Sequence, residues 1–235
     1  SIALTASGEQ LLAYARRMVA LNDEVMARLT DQAFEGEVNL GVPHDIVHPA
    51  IPRVLQQFNA SFPRVKVNLT DSATRQLREG FARGAYDLIL TTESDAGEGG
   101  ETIHQMQLSW VGARNGSSWR QRPLRVAFCR HCIFRPLATA ALDDAGITWE
   151  MAVDSESDRT IEATVSADLA VTVLLEGTEP SHQEIMDHGG TLPRLPVQNI
   201  NLYGGDRMKA QYIEELAKLI RQSYEALRPP LRAAG

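Results

Sequence analysis

The stretch 36-GEVNLGVPHDIVHPAIPRVLQQFNASFPRVKVNLTDS-72 decides the fold of this chain. Short runs of apolar and β-branched residues over Glu37–Val42 and Val65–Thr70 predict two strands. The segment Pro49–Ala60 between them predicts a helix, and proline fits a first helical turn because no N–H donor is needed there. Strand, helix and strand in this order predict a βαβ unit with parallel strands.

The same alternation continues after this stretch. Asp87–Thr91 is short and apolar on both faces, which is typical of a buried parallel strand. A polar, glycine-rich loop is predicted over Thr92–Thr102. The remaining predicted elements of this first half are a helix over Thr74–Arg83 and a strand over His104–Ala113.

The pattern then repeats. The repeat comprises Leu124–Phe128, Ile133–Ala145, Thr148–Val153, Asp158–Val165 and Leu169–Leu175. A turn-rich stretch, Glu176–Pro196, leads into a strand at Val197–Tyr203 and a helix over Asp206–Leu227 that return to the first half. We therefore predict an α/β fold with two Rossmann-like lobes, similar to periplasmic binding proteins, joined by two crossover strands. Lobe I takes residues 36–113 plus 197–235, and lobe II takes residues 114–196.

Ahead of the lobes, residues 4–31 read as one long amphipathic helix. Small or apolar residues recur at alternating steps of four and three, with one polar residue among them, which indicates a coiled-coil seam. The alternative is a surface helix that packs on its own domain. The seam residues are Leu4, Gly8, Leu11, Ala15, Met18, Asn22, Val25 and Leu29. Residues 1–35 are thus predicted to form a dimerisation segment.

Composition limits the classes of function. The chain has 235 residues, 43% of them hydrophobic, and a formal net charge of -7. An acidic chain repels nucleic-acid phosphates, so this piece alone should bind DNA weakly. No apolar run is long enough to span a membrane. Two cysteines are too few for a disulfide framework and favour the cytoplasm.

Several segments, in order, resemble the LysR-type transcription regulators. These segments are residues 4–12, 36–42, 77–90 (ending in Asp87-Leu88-Ile89-Leu90), 165–172 and 189–196; residues 132–135, with Trp149, are similar to the branch that includes LrhA, HexA and PecT. The resemblance implies a ligand-sensing domain and its linker helix. It also implies a homodimer or tetramer, contact with RNA polymerase, and promoter DNA bound by a winged helix-turn-helix domain. Because the chain begins at Ser1, we expect that domain to be missing here.

The predicted ligand site is the cleft at the carboxyl ends of the strands, where open α/β sheets bind ligands. Helices starting near Pro49 and Ile133 should point their N-termini at it and favour a carboxylate. Roles as helix caps and turn residues remain open for the polar members of the set. The candidates that follow strand ends are Pro43, His44, Asp45, Ser72, Thr74, Thr92, Ser155 and Ser157.

The segment from Cys129 to Arg135 supplies further candidates. Arg130 and Arg135 can pair with an anion, and Ile133 and Phe134 can form an apolar wall for an aromatic acid. Cys132 can line the ligand site, act in a redox pair with Cys129, or bind a metal with His131, although the spacing chelates poorly. Asp168, where the family usually has glycine, is expected at the cleft. If it and Asp45 face the pocket, an amine-bearing or neutral ligand fits better.

No catalytic motif occurs in the sequence. We therefore expect a small-molecule sensor, with no cofactor, no metal and no enzymatic role. The alternatives are a solute-binding protein of similar plan, a cysteine-based redox sensor, or an enzyme with Cys129 or Cys132 as nucleophile. Solution mass separates the first two, because a sensor of this family forms dimers or tetramers.

Overall fold

The computed structural model describes residues 36–204 and 210–227 without a break, together with residues 5, 7–8, 11, 14–15, 18–19 and 21. Of the predicted coiled-coil seam, Gly8, Leu11, Ala15 and Met18 are helical, and the side chains of Leu11 and Met18 are 69% and 66% exposed. The remaining seam residues lie outside the described residues; they are Leu4, Asn22, Val25 and Leu29. Self-association through this segment stays a prediction.

The first half of the chain forms the predicted βαβ unit and extends it. Strands β1, β2 and β3 pair in parallel in the order β2-β1-β3. We call these strands and their helices lobe I: β1 (Gly36–Pro43), α1 (Ala50–Ser61), β2 (Val65–Ser72), α2 (Thr74–Ala82) and β3 (Leu88–Glu93).

Two long strands connect the halves, as the sequence predicts. β4 (Gly100–Ala113) pairs antiparallel with β9 (Val197–Tyr203) along Gly100–Gln107. Its second half, from Leu108 onward, pairs antiparallel with strands of the second half. β4 therefore belongs to both halves.

The second half repeats the first, and we call it lobe II. β5 and β6 pair in parallel, and a parallel bridge from Val126 to Val171 sets β7 beside β5. The elements are β5 (Leu124–Cys129), α3 (Arg135–Asp144), β6 (Trp149–Ser155), α4 (Asp158–Ser166), β7 (Thr172–Leu175) and β8 (Gln183–Ile185). In both lobes the first strand lies between the second and the third, so the predicted similarity of plan is confirmed.

The chain returns to lobe I through β9 and a final helix, α5 (Gln211–Glu225). The hydroxyl of Tyr224, at the buried end of α5, donates a hydrogen bond of 2.9 Å to the carbonyl of Ile46. This bond fixes the turn that follows β1, because Ile46 closes the short 3-10 helix His44–Ile46.

Most predicted boundaries agree with the structure within two or three residues. β8 was not predicted, because its three residues lie inside the turn-rich stretch Glu176–Pro196. β7 starts at Thr172, three residues later than expected, and the start predicted for the last helix, Asp206, lies outside the described residues.

One hydrophobic cluster runs through both lobes. It joins Leu40 and Phe58 of lobe I to Trp110 of β4 and Phe128 of lobe II. Among residues 36–204 and 210–227, no helix has the length and hydropathy to cross a lipid bilayer.

Candidate functional site

A cavity of about 600 Å³ opens between the lobes at the carboxyl ends of their parallel strands. A volume of this size suits a small metabolite. From lobe I it is lined by His44, Asp45, His48, Ser72, Ala73, Thr74, Arg75 and Gln76. From lobe II and the segment after β7 it is lined by Phe128, Cys129, His131, Cys132, Ile133, Phe134, Glu156, Asp158, Ile161, Glu162, Thr172, Val173, Leu174, Thr178, Pro180 and Gln183.

The lobe I wall is built around the start of α2. Residues 72–76 all line the cavity. The N-cap residue Ala73 carries only a methyl group, so no side chain accepts a hydrogen bond from the first N–H groups of the helix. The first turn holds no acidic residue and contains Arg75, which forms an ion pair with Glu79 at 3.0 Å. This helix end therefore presents donors and a partial positive charge to the cavity.

A short chain of hydrogen bonds connects three strand ends of lobe I. The backbone N–H of Thr92 donates to Thr74 Oγ1 at 3.1 Å, and Thr92 Oγ1 donates to Asp45 Oδ2 at 2.9 Å. Thr92 is fully buried and does not line the cavity. It positions Thr74 and Asp45, which do.

Asp45 is the most perturbed acid of the site. Burial raises its pKa from 3.8 to about 6, the Thr92 hydrogen bond opposes that shift, and the charge of Asp158 adds to it. Among the described residues no lysine or arginine forms an ion pair with Asp45. A pKa near 6 still leaves most of this carboxyl ionised at pH 7.

The lobe II wall carries acids of its own. Glu156 pairs with Arg130 at 3.2 Å, and Glu162 pairs with His182 at 2.9 Å. Asp158, in the first turn of α4, has its side chain 56% exposed and lies 4.0 Å from His44 Nδ1, across the cleft. His44 is also paired with Asp71 of β2.

Between these acids the lobe II wall is apolar. Phe128 and Phe134 are almost fully buried beneath the cavity surface, and Ile161 and Val173 extend the same wall. An apolar portion of a ligand would contact this surface.

The two cysteines are free. Burial raises the pKa of Cys132 to about 12, and burial together with the charge of Asp158 raises that of Cys129. Both thiols are therefore protonated at neutral pH, which disfavours nucleophilic and redox roles because the thiolate is the reactive form. No cluster of potential metal ligands occurs among the described residues.

Half of the predicted ligand-site residues meet at the cavity. They are His44, Asp45, Ser72, Thr74, Cys132, Ile133 and Phe134. The other seven do not line it: Pro43, Thr92, Arg130, Arg135, Ser155, Ser157 and Asp168. Pro43 ends β1. Ser155 Oγ accepts from the N–H of Ser157, the N-cap residue of α4, at 3.1 Å.

The two arginines predicted to meet an anion are engaged elsewhere. Arg130 pairs with Glu156, and Arg135 pairs with Asp154 at 3.2 Å. These partners are brought close because β5 and β6 are in register, with Phe128 opposite Asp154. The arginines thus neutralise acids of lobe II.

Asp168 lies in the turn after α4, away from the cavity. Its φ of 55° is in the left-handed region, which glycine adopts freely and aspartate tolerates. Burial favours a higher pKa, but hydrogen bonds from the N–H groups of Ser117 at 2.9 Å and Ser118 at 3.0 Å outweigh it, so the pKa is lowered. The departure from the family pattern thus affects a turn and not the wall of the cavity.

Of the two helix N-termini expected at the cleft, the structure brings one to the cavity. Ile133 and Phe134, the N-cap residue of α3, line it, whereas neither Pro49 nor Ala50 does. The helix whose first turn faces the cavity from lobe I is α2. Sequence reasoning did not single out Arg75, Asp158, Glu162 or Gln183, because charged residues in a first helical turn and polar residues in a turn-rich stretch are common without function.

Comparison with known proteins is consistent across sequence and structure. The family model described as LysR substrate binding domain matches residues 31–184. The HTH-type transcriptional regulator DgdR of Burkholderia cepacia is 29% identical over 202 residues, covering 86% of this chain and 69% of that protein. The HTH-type transcriptional regulator PecT of Dickeya dadantii (strain 3937) is 26% identical over 198 residues, covering 82% and 61%.

The fold is shared with a solved effector binding domain. The effector binding domain of QuiR in complex with shikimate superposes with a TM-score of 0.62 at 13% identity, covering 82% of this chain and 98% of that chain. At this identity the likeness shows the two-lobed fold alone. This chain spans 69% and 61% of the two relatives.

Proposed function

Since this chain belongs to the LysR substrate binding domain family, we propose that it senses a small effector in the cleft between its lobes and passes the signal to promoter-bound DNA-reading domains. Its relatives are transcription regulators, which favours a regulatory role over an enzymatic one. Low thiolate character at Cys129 and Cys132 disfavours the redox alternative.

We propose that the effector carries a carboxylate bound at the start of α2. The supporting observation is a helix N-terminus that lines the cavity with no side-chain cap and no acid in its first turn. Shikimate, which the QuiR domain binds, is also a carboxylate. The apolar surface around Phe128 and Phe134 suits an aromatic or branched ligand body.

The larger assembly is proposed from the family. Residues 1–35 form the dimerisation segment, residues 36–113 plus 197–235 lobe I, and residues 114–196 lobe II. The working protein is a homodimer or tetramer in the cytoplasm. It contacts promoter DNA through a helix-turn-helix domain and acts on RNA polymerase.

The start of α2 gives a direct test. Ala73→Asp places a carboxylate at the N-cap, where it occupies the N–H groups that a ligand carboxylate needs, and a good cap adds about 1 kcal/mol to helix stability. We therefore expect a higher melting temperature together with at least about tenfold weaker binding of acids. Ala73→Ser is the matched control, since it caps the helix without a charge and should weaken binding less.

A thermal-shift screen of metabolites supplies the ligands for this test. A ligand at a hundred times its Kd adds about 2.7 kcal/mol to stability, and calorimetry then ranks the hits. The proposal fails if no metabolite stabilises the chain, or if Ala73→Asp binds the acids as tightly as the wild type.

A further inference from the structure

Two carboxylates from different lobes approach the same end of the cavity. Asp45 follows β1 in lobe I, and Asp158 begins α4 in lobe II. The charge of Asp158 acts on Asp45, and the charges of both act on the thiol of Cys132. Both residues line the cavity, Asp158 lies 4.0 Å from His44 Nδ1, and His44 directly precedes Asp45, so the two carboxylates are close to each other across the cleft.

Glu156 has a guanidinium partner and Glu162 an imidazole partner, whereas among the described residues neither Asp45 nor Asp158 forms an ion pair with a lysine or arginine. Glu156 and Glu162 are paired with Arg130 and His182. Asp45 receives the Thr92 hydroxyl and the field of His44. Asp158 has the N-terminus of its own helix α4, a hydrogen bond with the Cys129 thiol and His44 Nδ1 at 4.0 Å. That imidazole is closer to Asp71. Two carboxylates thus share one imidazole that a third carboxylate already engages.

Such an arrangement is costly without a further cation. A buried ionised carboxylate needs a partner charge or several hydrogen bonds to offset its lost hydration. Asp45 is half-buried and lines the open cavity, so a ligand can reach it. The start of α2 lies near Asp45 on the same lobe I wall, because Thr92 bonds to both Thr74 and Asp45, and it is suited to a negative group.

We propose that the effector is a zwitterion whose positively charged nitrogen is bound between Asp45 and Asp158 while its carboxylate lies at the N-terminus of α2. The ligand class is then an α-amino acid or a close analogue. This inference rests on the proposed function of the cleft and specifies its substrate class.

The rest of the cavity constrains the side chain of this amino acid. Phe128, Ile161 and Val173 supply an apolar wall, and a cavity of about 600 Å³ accommodates a branched or aromatic side chain. We therefore expect an amino acid with an apolar side chain.

Binding of a positively charged nitrogen also affects how closely the two lobes approach each other. With the cavity empty, Asp45 and Asp158 repel each other and oppose approach of the lobes. A nitrogen that bears a positive charge removes this repulsion and attracts both walls, so binding favours closure. An acid without a nitrogen leaves the repulsion in place.

Calorimetry on the 235-residue chain with matched compounds tests the inference. Each set contains an amino acid, the hydroxy acid with the same carbon frame and the corresponding amine, for example phenylalanine, phenyllactate and phenethylamine, or leucine, 2-hydroxyisocaproate and isoamylamine. In at least one set the amino acid should bind at least about tenfold tighter than either analogue, the ratio expected for one charge-assisted hydrogen bond.

Variants assign the preference to the two carboxylates. Asp45→Asn and Asp158→Asn should each reduce the ratio of amino acid to hydroxy acid affinity to about threefold or less, with hydroxy acid binding unchanged or tighter. Glu101→Gln and Glu150→Gln are the matched controls, since their carboxylates pair with Arg221 and Arg125 outside the cavity, and should preserve the ratio. A merely structural role would weaken all three compounds alike.

Two results overturn the inference. One is equal binding of the hydroxy acid or the amine in every set, and the other is an amino acid preference that survives both substitutions. If acids bind without needing a nitrogen, the proposed function stands and the inference alone fails. If the broad metabolite screen finds no ligand of the cleft, the proposed function fails.

Discussion

The two lobes place equivalent helices at the cleft and give them opposite electrostatic character. α2 and α4 each follow the second strand of their lobe and present their first turns to the cavity. α2 starts at Thr74 with no acid in its first turn, whereas α4 starts at Asp158. In α4 the positive helix end is already offset by a carboxylate of the chain, while in α2 it is free for a ligand.

The comparison shows that the shared plan positions the site and single residues decide its chemistry. Both lobes supply a helix N-terminus because both are α/β units with parallel strands. Which charge each lobe prefers depends on the residue at the first position of the helix. Three variants test this contrast.

The largest effect is expected for Asp45→Asn, which removes the charge of the lobe I carboxylate that faces Asp158 across the cleft. Because the folded-state pKa is about 6, above the ordinary 3.8, the ionised form is disfavoured in the folded protein. At pH 7 the asparagine variant should therefore be more stable than the wild type, by at most about 3 kcal/mol.

This advantage has a defined pH window. Wild-type stability should fall as pH rises from about 4 to about 6, because over this range the unfolded chain releases the Asp45 proton and the folded chain retains it. The advantage should vanish below about pH 4. The ionisable groups that face Asp45 are His44, Asp158, Cys132 and Tyr224.

Urea denaturation of wild type and variant at several pH values measures this difference. Glu79→Gln, which removes an exposed carboxylate paired with Arg75, is the control and should change stability by under about 0.5 kcal/mol at any pH. A less stable Asp45→Asn variant at pH 7 would show that ionised Asp45 is well compensated in the fold.

The next effect is expected for Thr92→Val, which removes the hydroxyl that donates to Asp45. The valine fits the buried position but leaves Asp45 without its hydroxyl donor. We expect a loss of about 1–3 kcal/mol, largest where Asp45 is ionised and strongly reduced in the Asp45→Asn background.

Thr91→Val is a matched control for this experiment. Thr91 is also fully buried, and its hydroxyl donates to Glu93 at 2.7 Å, so its loss should not depend on residue 45. A double-mutant cycle by denaturation distinguishes the two threonines. Additive effects of Thr92→Val and Asp45→Asn would disprove the coupling.

The smallest effect is expected for Arg75→Gln, which removes a positive charge from the first turn of α2. The Arg75 side chain is 88% exposed, so its field at the ligand is screened by solvent and salt. We expect about twofold to threefold weaker binding of acids at low salt, disappearing at high salt. Arg83→Gln, just beyond the other end of α2, should have no effect, and calorimetry at two salt concentrations decides.

Much of the fold could be predicted because its signals are local. Runs of apolar residues predicted β1, β2 and β3. Proline predicted that α1 begins at Pro49, one residue before its observed start at Ala50. β8 was missed because three residues carry no periodicity, and its pairing with Val111–Ala113 of β4 depends on distant sequence.

Residues could be predicted to line the cavity where their position after a strand was enough, and could not where the pairing between elements decided their neighbours. His44, Asp45, Ser72 and Thr74 follow strand ends, so the topology brings them to the cavity. Arg130 and Arg135 also follow a strand end, but the register of β5 with β6 supplies acidic neighbours that neutralise them. Nothing in the sequence order shows that register.

β4 changes neighbours midway, from β9 up to Gln107 to β7 from Leu108 onward. At that point the side chain of Gln107 donates to the carbonyl of Leu195 at 2.7 Å, and the N–H of Leu108 donates to the carbonyl of Pro196. The lobes are thus joined by two hydrogen-bonded segments of the chain, β4 and the segment that leads into β9. This connection can bend where the partner changes, but its hydrogen bonds resist stretching and shear. We therefore expect any movement of one lobe against the other to occur as a bend at Gln107–Leu108.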